Sequence, residues 1–286
     1  MNRTHLTAAT PLLVLVLLLS STRDHLWAQA PAFTGTFISK DAKFTVAGGV
    51  AFNDQSSLDS ESPVILVAIS NTRLNVEAIG DFVDRRRAIE QLVKDDETPI
   101  VYLEFTPQGR WRGISYYLAS GNGCGYCTSE VASTVKLSNG RLIGNVKGTE
   151  KDRPFNVTLD VAVLSDDHGA VLPADGGAPG KAYLAYHAAL VKRDAQAVRR
   201  TLSPGNLELY DGAQKKNDLD SYLSYLAGKH PMKAVKITRG WATPTKASLL
   251  VEGESSVGKV AGEVFLINSQ GNWGVDEELV DLVLGR

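Results

Sequence analysis

Cys124 and Cys127 are the only cysteines, and Cys124-Gly125-Tyr126-Cys127 is a spacing that serves thiol–disulfide exchange or a local disulfide. Exchange needs its first thiol at a helix N-terminus, where the dipole favours thiolate. Only residues 128–133 separate Cys127 from the strand-like stretch 134–137, which leaves no room for that helix, and no βαβ pattern surrounds the motif. We therefore expect a disulfide tightening the Gly/Asn-rich loop 119–129, with thiol–disulfide exchange at Cys124/Cys127 as the alternative. A loop this short restricts few unfolded conformations, so the bond contributes less than the usual ~2–4 kcal/mol. A second set of reactive types is Tyr183 and His187, one helical turn apart, with Asp194 two turns further on. Facing one cavity, they would supply an acid, a base and a hydrogen-bond donor. Glu252 and Glu263 are the obvious acids on the strands that follow, neither with an evident partner. His168 stands alone in a Pro/Gly-rich stretch and reads as a surface histidine, because a metal site needs several convergent groups. No metal site and no cofactor is expected. Arg85-Arg86-Arg87 reads as a solvated charged face rather than an anion site.

The element that must position Tyr183 and His187 is a helix over 181–202. Leu184, Ala188, Val191, Ala195, Val198 and Leu202 recur at steps of three and four, which predicts one buried apolar stripe. Tyr183, His187, Leu190 and Asp194 flank it. Asp194 has an alternative role as N-cap of a short segment 195–202, worth about 1 kcal/mol and bending the helix after Arg193. Pro204-Gly205 breaks the chain, 218–227 is a second short helix, and strands follow at 234–243, 247–253, 259–268 and 273–278, the last two joined through Ser269-Gln270-Gly271-Asn272. Helices followed by a meander predict an α+β unit, a curved antiparallel sheet over a long helix. The expected pocket lining is Tyr183, Tyr186, His187 and Leu190 from the helix, with Trp241, Phe265 and Trp273 from the strands.

The preceding half reads as an antiparallel β-rich sandwich or barrel with one helix. Strands are expected at 33–38 and 44–52 as a first pair, at 64–69, at 100–105 and 111–118 around Pro107-Gln108-Gly109-Arg110, and at 135–137 and 142–146 around Asn139-Gly140. Phe155, Val157, Leu159, Val161 and Val163 alternate with polar or small residues as a half-buried strand. Residues 81–96 read as one amphipathic helix, N-capped by Asp81, burying Phe82, Ile89, Leu92 and Val93. Residues 166–180, rich in Pro and Gly, are the expected flexible linker between domains 31–165 and 181–286.

With 286 residues, two domains are the prior. The 43% hydrophobic and 22% charged composition is that of a globular chain, and a net charge of −2 favours neither nucleic acid nor an anionic membrane. Arg3, the apolar run 12–19 and Ala28-Gln29-Ala30 have the order of a secretory signal cleaved after Ala30. The run is shorter than the roughly 20 residues that span a bilayer, so no membrane span is expected after cleavage. The expected address is periplasmic or extracellular, in a bacterium.

Residues 186–204, YHAALVKRDAQAVRRTLSP, and 264–278, VFLINSQGNWGVDEE, resemble the nuclear transport factor 2-like superfamily, the first its opening helical segment and the second its closing strand, turn and Trp-centred strand. The resemblance covers residues 180–280 and implies a cone in which a helix packs across a bent antiparallel sheet. The superfamily includes enzymes, binding domains and non-catalytic modules; its isomerases and dehydratases use polar groups such as Tyr183 and His187 as acid, base and oxyanion donor. The first half is similar to secreted bacterial β-domains of unknown function in Gly35-Thr36-Phe37, in the strand 64–69 followed by Ser70, and in Gly144 of RLIGNV, and that likeness implies no activity. The expectation is an exported, non-catalytic module that binds a small apolar ligand or a protein partner, with a homodimer left open. The first alternative is a cone-fold isomerase or dehydratase using Tyr183 and His187.

Overall fold

The alternation in 155–163 works as expected: Phe155, Val157, Leu159 and Val161 are buried and the residues between them face outward. The computed structural model describes residues 32–38, 42–56, 59, 62–96, 98–118, 121–123, 131–149, 151, 154–228 and 232–283. The expected leader 1–30 and Cys124 and Cys127 lie outside the described residues. In chain order the first half contains β1 (Ala32–Ile38), β2 (Lys43–Thr45), β3 (Gly48–Gln55), β4 (Pro63–Ser70), α1 (Val76–Asp81), α2 (Arg85–Asp96), β5 (Ile100–Phe105), β6 (Trp111–Leu118), β7 (Gly121–Gly123), β8 (Val131–Ser133), β9 (Lys136–Ser138), β10 (Arg141–Gly148) and β11 (Phe155–Ala162). The second contains β12 (Ala170–Val171), α3 (Gly177–Lys192), α4 (Ala195–Arg199), α5 (Pro204–Lys215), α6 (Leu219–Leu226), β13 (Ala234–Ala242), β14 (Lys246–Glu254), β15 (Lys259–Ser269) and β16 (Asn272–Leu282). The protein is mixed α+β, and its strand pairings within the sheets are antiparallel.

One sheet runs β2-β1-β11-β10-β8, with β9 also on β10, and a second runs β3-β4-β5-β6-β7. Their facing sides bury Phe37, Val67, Leu103, Phe105, Leu142 and Val157 in one core. The second sheet's other side packs Phe52, Leu66 and Tyr102 against Ile79 and Ile89 of α1 and α2. Coverage on both faces explains the unbroken apolar run of β4, in which every residue after Pro63 is buried. The expected strand 44–52 is instead two strands in two sheets. Val46 N–H donates to Gly35 of the first sheet while Ala47 N–H donates to Ser70 of the second, so the chain crosses between them there. Gly35 has φ 136°, and a Cβ there would lie 1.9 Å from the Asn156 carbonyl oxygen, so the close approach of β1 to β11 requires glycine. Asn139 and Gly140 both take positive φ in the β9–β10 turn, as a type I′ hairpin requires.

The single helix expected over 81–96 is two. Asp81 ends α1, whose N-cap is Asn75, and Phe82 is extended with φ −82° and ψ 145°. Phe82 leaves the helix because its ring packs on Phe265, centroids 5.7 Å apart, in a small apolar contact between the halves. Asp84 then caps α2, its Oδ1 accepting from Arg87 N–H at 3.1 Å. Among the residues expected to be buried, Phe82 and Ile89 are, while the side chains of Leu92 and Val93 lie outside the described residues. The arginine run is not a solvated face. Arg85 is buried, pairing with Asp166 at 2.8 Å and donating to the Ser165 carbonyl. Arg86 pairs with Asp54 at 2.9 Å, and Arg87 donates to the Ala261 carbonyl at 2.7 Å.

Those arginine contacts also change the reading of 166–180. Asp166 is tied to Arg85, β12 pairs with the end of β13, and α3 already begins at Gly177, so the stretch is built into the structure rather than being a bare linker. His168 is half-buried beside Arg85 and Trp241, and its pKa is lowered by burial and then by the Arg85 charge. Pro204 does not break the chain; it opens α5 behind the N-cap Ser203, where a missing N–H costs nothing.

The third sheet is the meander β12-β13-β14-β15-β16. One face packs Leu249, Val251, Val264 and Leu266 against α3 and the helices after it, in a core with Tyr183, Tyr186, Val198 and Tyr210. The other face meets α1 and α2 through Phe265, Ile267 and Leu279. The order of layers is therefore sheet, sheet, helices, sheet, helices, and the described residues belong to one compact unit.

Candidate functional site

The helix that carries the expected site buries a different face from the one its apolar spacing predicts. Leu184 is 40% exposed and Val191 60% exposed, whereas Tyr183, Tyr186 and Ala189 are buried. The rings of Tyr183 and Tyr186 stack with centroids 6.3 Å apart and interplanar angle 30°. Buried tyrosines need somewhere to put a hydroxyl. Tyr183 donates to Glu278 Oε1 at 2.6 Å. The Tyr186 hydroxyl has no hydrogen-bond partner among the described residues, and Tyr186 lines a cavity.

Glu278 reaches that cavity because of a bulge. Val275 pairs with Leu266 and Glu277 with Phe265, leaving Asp276 as the extra residue of β16. Val275 faces the α3 core, and two residues on Glu277 would face it too in a regular strand; the inserted residue shifts the alternation so that Glu278 and Val280 face inward instead. The bulge is fastened by α5. Ser203 Oγ donates to Asp276 Oδ1 at 2.5 Å, and Asn206 Nδ2 donates to the Asp276 carbonyl at 2.6 Å. The only trace of this in the sequence is the odd spacing between Val275 and Val280, two inward apolar residues that an unbroken strand would put on opposite faces.

The cavity measures about 770 Å³ and lies between α3, α6, β16 and α2. Its apolar wall includes Leu190, Met232, Val280 and Leu282, with the rings of Tyr186 and Tyr225. Its polar wall, among the described residues, has His187 and Glu278, then Glu90, Asp276, Glu277 and Asp281, and the Arg87 guanidinium. Burial raises the Glu278 carboxyl above its ordinary value, with the Tyr183 hydroxyl opposing. Burial, and then the nearby Glu278, push the Tyr183 and Tyr186 hydroxyls well up, so both stay protonated. His187 Nε2 lies 3.1 Å from the Met232 carbonyl; a carbonyl only accepts, so Nε2 carries the proton and Nδ1 is the acceptor of the neutral ring. Burial lowers the His187 pKa, which favours that neutral form.

The structure thus brings together Tyr183, Tyr186, His187 and Leu190, with Tyr183 acting on the cavity through Glu278. It takes the other expected residues elsewhere. Asp194 is exposed and caps α4, accepting from Ala197 N–H at 3.0 Å. Trp241 packs under the Arg239 guanidinium, 4.7 Å from the ring centroid, and Phe265 faces Phe82 on the opposite side of the sheet. Trp273 is half-buried against the α3 core without lining the cavity. Glu252 is exposed, while Glu263 is buried on the face toward α2. The Glu263 oxygens accept from Val83 N–H and Asp84 N–H, each at 2.8 Å, and from Ser248 Oγ. It secures the start of α2 from across the halves.

Among the described residues no group of His, Cys, Asp and Glu is placed to hold a metal ion, and no helix is long and apolar enough to cross a membrane. No protein-family model matches the chain, and no curated protein is significantly similar to it.

Proposed function

We propose that the protein is an exported binding module whose second half is a nuclear transport factor 2-like cone, and that the cone cavity is its ligand site. The observation that carries this reading is the cavity of about 770 Å³, within the usual size for a small-molecule site, with the Glu278 carboxylate and the Tyr186 hydroxyl on a wall of mixed apolar and polar side chains. The order of helices α3–α6 followed by the meander β13–β16, bent at the Asp276 bulge, supports the cone reading. The apolar run 12–19 and Ala28-Gln29-Ala30 support export.

The test uses a neutral solvatochromic dye such as Prodan. We expect saturable one-to-one binding with a blue-shifted emission, and its loss in Ser224→Trp, which places an indole at the mouth from an exposed position of α6. Unchanged dye binding in Ser224→Trp, or no binding to the wild type, would contradict the proposal.

The Tyr183–Glu278 hydrogen bond of 2.6 Å favours a second reading, a cone-fold isomerase or dehydratase with Glu278 as proton acceptor and His187 nearby. Turnover in an isomerase and dehydratase screen that disappears in Glu278→Gln would establish it over simple binding.

A further inference from the structure

Within the binding reading, and resting on it, two polar atoms of the cavity have no partner in the protein. Glu278 receives one hydrogen bond, from Tyr183 to Oε1, and its second oxygen has none among the described residues. Tyr186 is only 2% exposed, yet its hydroxyl is likewise without a partner there, on a residue that lines the cavity. Both atoms reach the cavity without a protein partner, so a carboxylate oxygen that can only accept and a hydroxyl that can accept or donate are open to a ligand with hydrogen-bond donors. Among the described residues, Glu90, Asp276, Glu277 and Asp281 line the same space with one guanidinium, Arg87, which donates to the Ala261 carbonyl. The aromatic part of the wall fits the same chemistry. Tyr225 is exposed at the mouth, with Tyr222 stacked at 6.3 Å and 27°, and a π face attracts cations.

We infer that the cavity takes an organic ammonium ion with an apolar body, its N–H groups donating to the second oxygen of Glu278 and to the Tyr186 hydroxyl while the body lies against Leu190, Met232 and Val280. A carboxylate or phosphate ligand would face the Glu278 carboxylate, and a purely apolar ligand would leave both atoms unmatched. The Tyr183 hydroxyl fixes the carboxylate orientation and takes no part in the contact itself.

The experiment measures displacement of the bound neutral dye by three probes of one shape: 2-phenylethylammonium, 2-phenylethanol and phenylacetate. The expected result is about a tenfold preference for the ammonium over the alcohol, the size of a partly desolvated charge and cation–π contact, with phenylacetate weakest. In Glu278→Gln the ammonium loses its advantage over the alcohol; in Tyr186→Phe the advantage shrinks. Equal or tighter binding of the alcohol or of phenylacetate by the wild type would overturn the ligand class while leaving the cavity a binding site. An ammonium preference that survives Glu278→Gln would also overturn it, as would a dye that binds but yields to none of the three. Failure of the dye itself to bind defeats the binding reading first.

Discussion

Glu263 and Glu278 sit on neighbouring strands of one sheet and face opposite sides of it. Both are removed from bulk water enough that burial raises the carboxyl above its ordinary value. Their surroundings differ in how far they are satisfied. Glu263 is 1% exposed and receives three hydrogen bonds, two of them from the backbone that starts α2. Glu278 receives one and opens onto a cavity. A buried acid whose acceptors are filled by the protein is a structural part; one whose acceptors are left over is available for something else. The same sheet therefore uses Glu263 to hold the two halves together, while Glu278 opens onto a cavity at the β16 edge.

The largest effect that separates the two faces is on stability. Glu263→Ala strands two backbone N–H groups at the start of α2 and removes the Ser248 partner, and we expect a loss of about 2–4 kcal/mol, read from urea midpoints. Glu278→Gln keeps an acceptor for Tyr183, so its loss should stay below about 1 kcal/mol. Equal losses would erase the distinction between the faces.

Next is the pH dependence. Burial holds the Glu263 proton to a higher pH than the ordinary 4.5, against the pull of Ser248 and the two N–H groups. The folded state then binds the proton more tightly than the unfolded chain. The associated stability is complete below the ordinary value and is lost as pH rises through the raised range. Glu278 acts with the same sign. Urea midpoints of the wild type should carry this downward contribution from pH 4.5 upward, and either Gln substitution should make the slope shallower. Slopes identical to the wild type would show that neither carboxyl holds a shifted proton. The smallest effect is expected at Asp194→Ala, which removes the α4 cap for about 1 kcal/mol and leaves dye affinity unchanged. A loss of dye binding there would return Asp194 to the site.

What the sequence made legible follows from local physics. The alternation of 155–163, the Asn139-Gly140 turn and the strand pair around Gln270-Gly271 depend on neighbours within a few residues, and Gln270 and Gly271 take the positive φ such a turn needs. The helix expected over 181–202 is two, α3 and α4 separated at Arg193 and Asp194 as the capping role of Asp194 implied, and the buried side of α3 was not legible. Apolar spacing ranks Leu184 and Val191 above tyrosine, yet the sheet face under α3 carries an acid, Glu278, and a tyrosine can bury its ring while giving its hydroxyl to that acid. Glu278 itself was missed because its facing depends on a single inserted residue fastened by Ser203 and Asn206, more than sixty residues earlier. The break at Phe82 and the partner of Glu263 were hidden for the same reason. Both are contacts between segments about 180 residues apart, joined only once the third sheet lies on α2.

The most direct test of the proposed ligand site is a methyl NMR spectrum recorded with and without the neutral dye. Shifts at Leu190, Met232, Val280 and Leu282, with Ile89 and Ile267 unmoved, are the predicted result. Perturbations centred on Ile89 and Ile267, around the Phe82–Phe265 contact and Glu263, would contradict it.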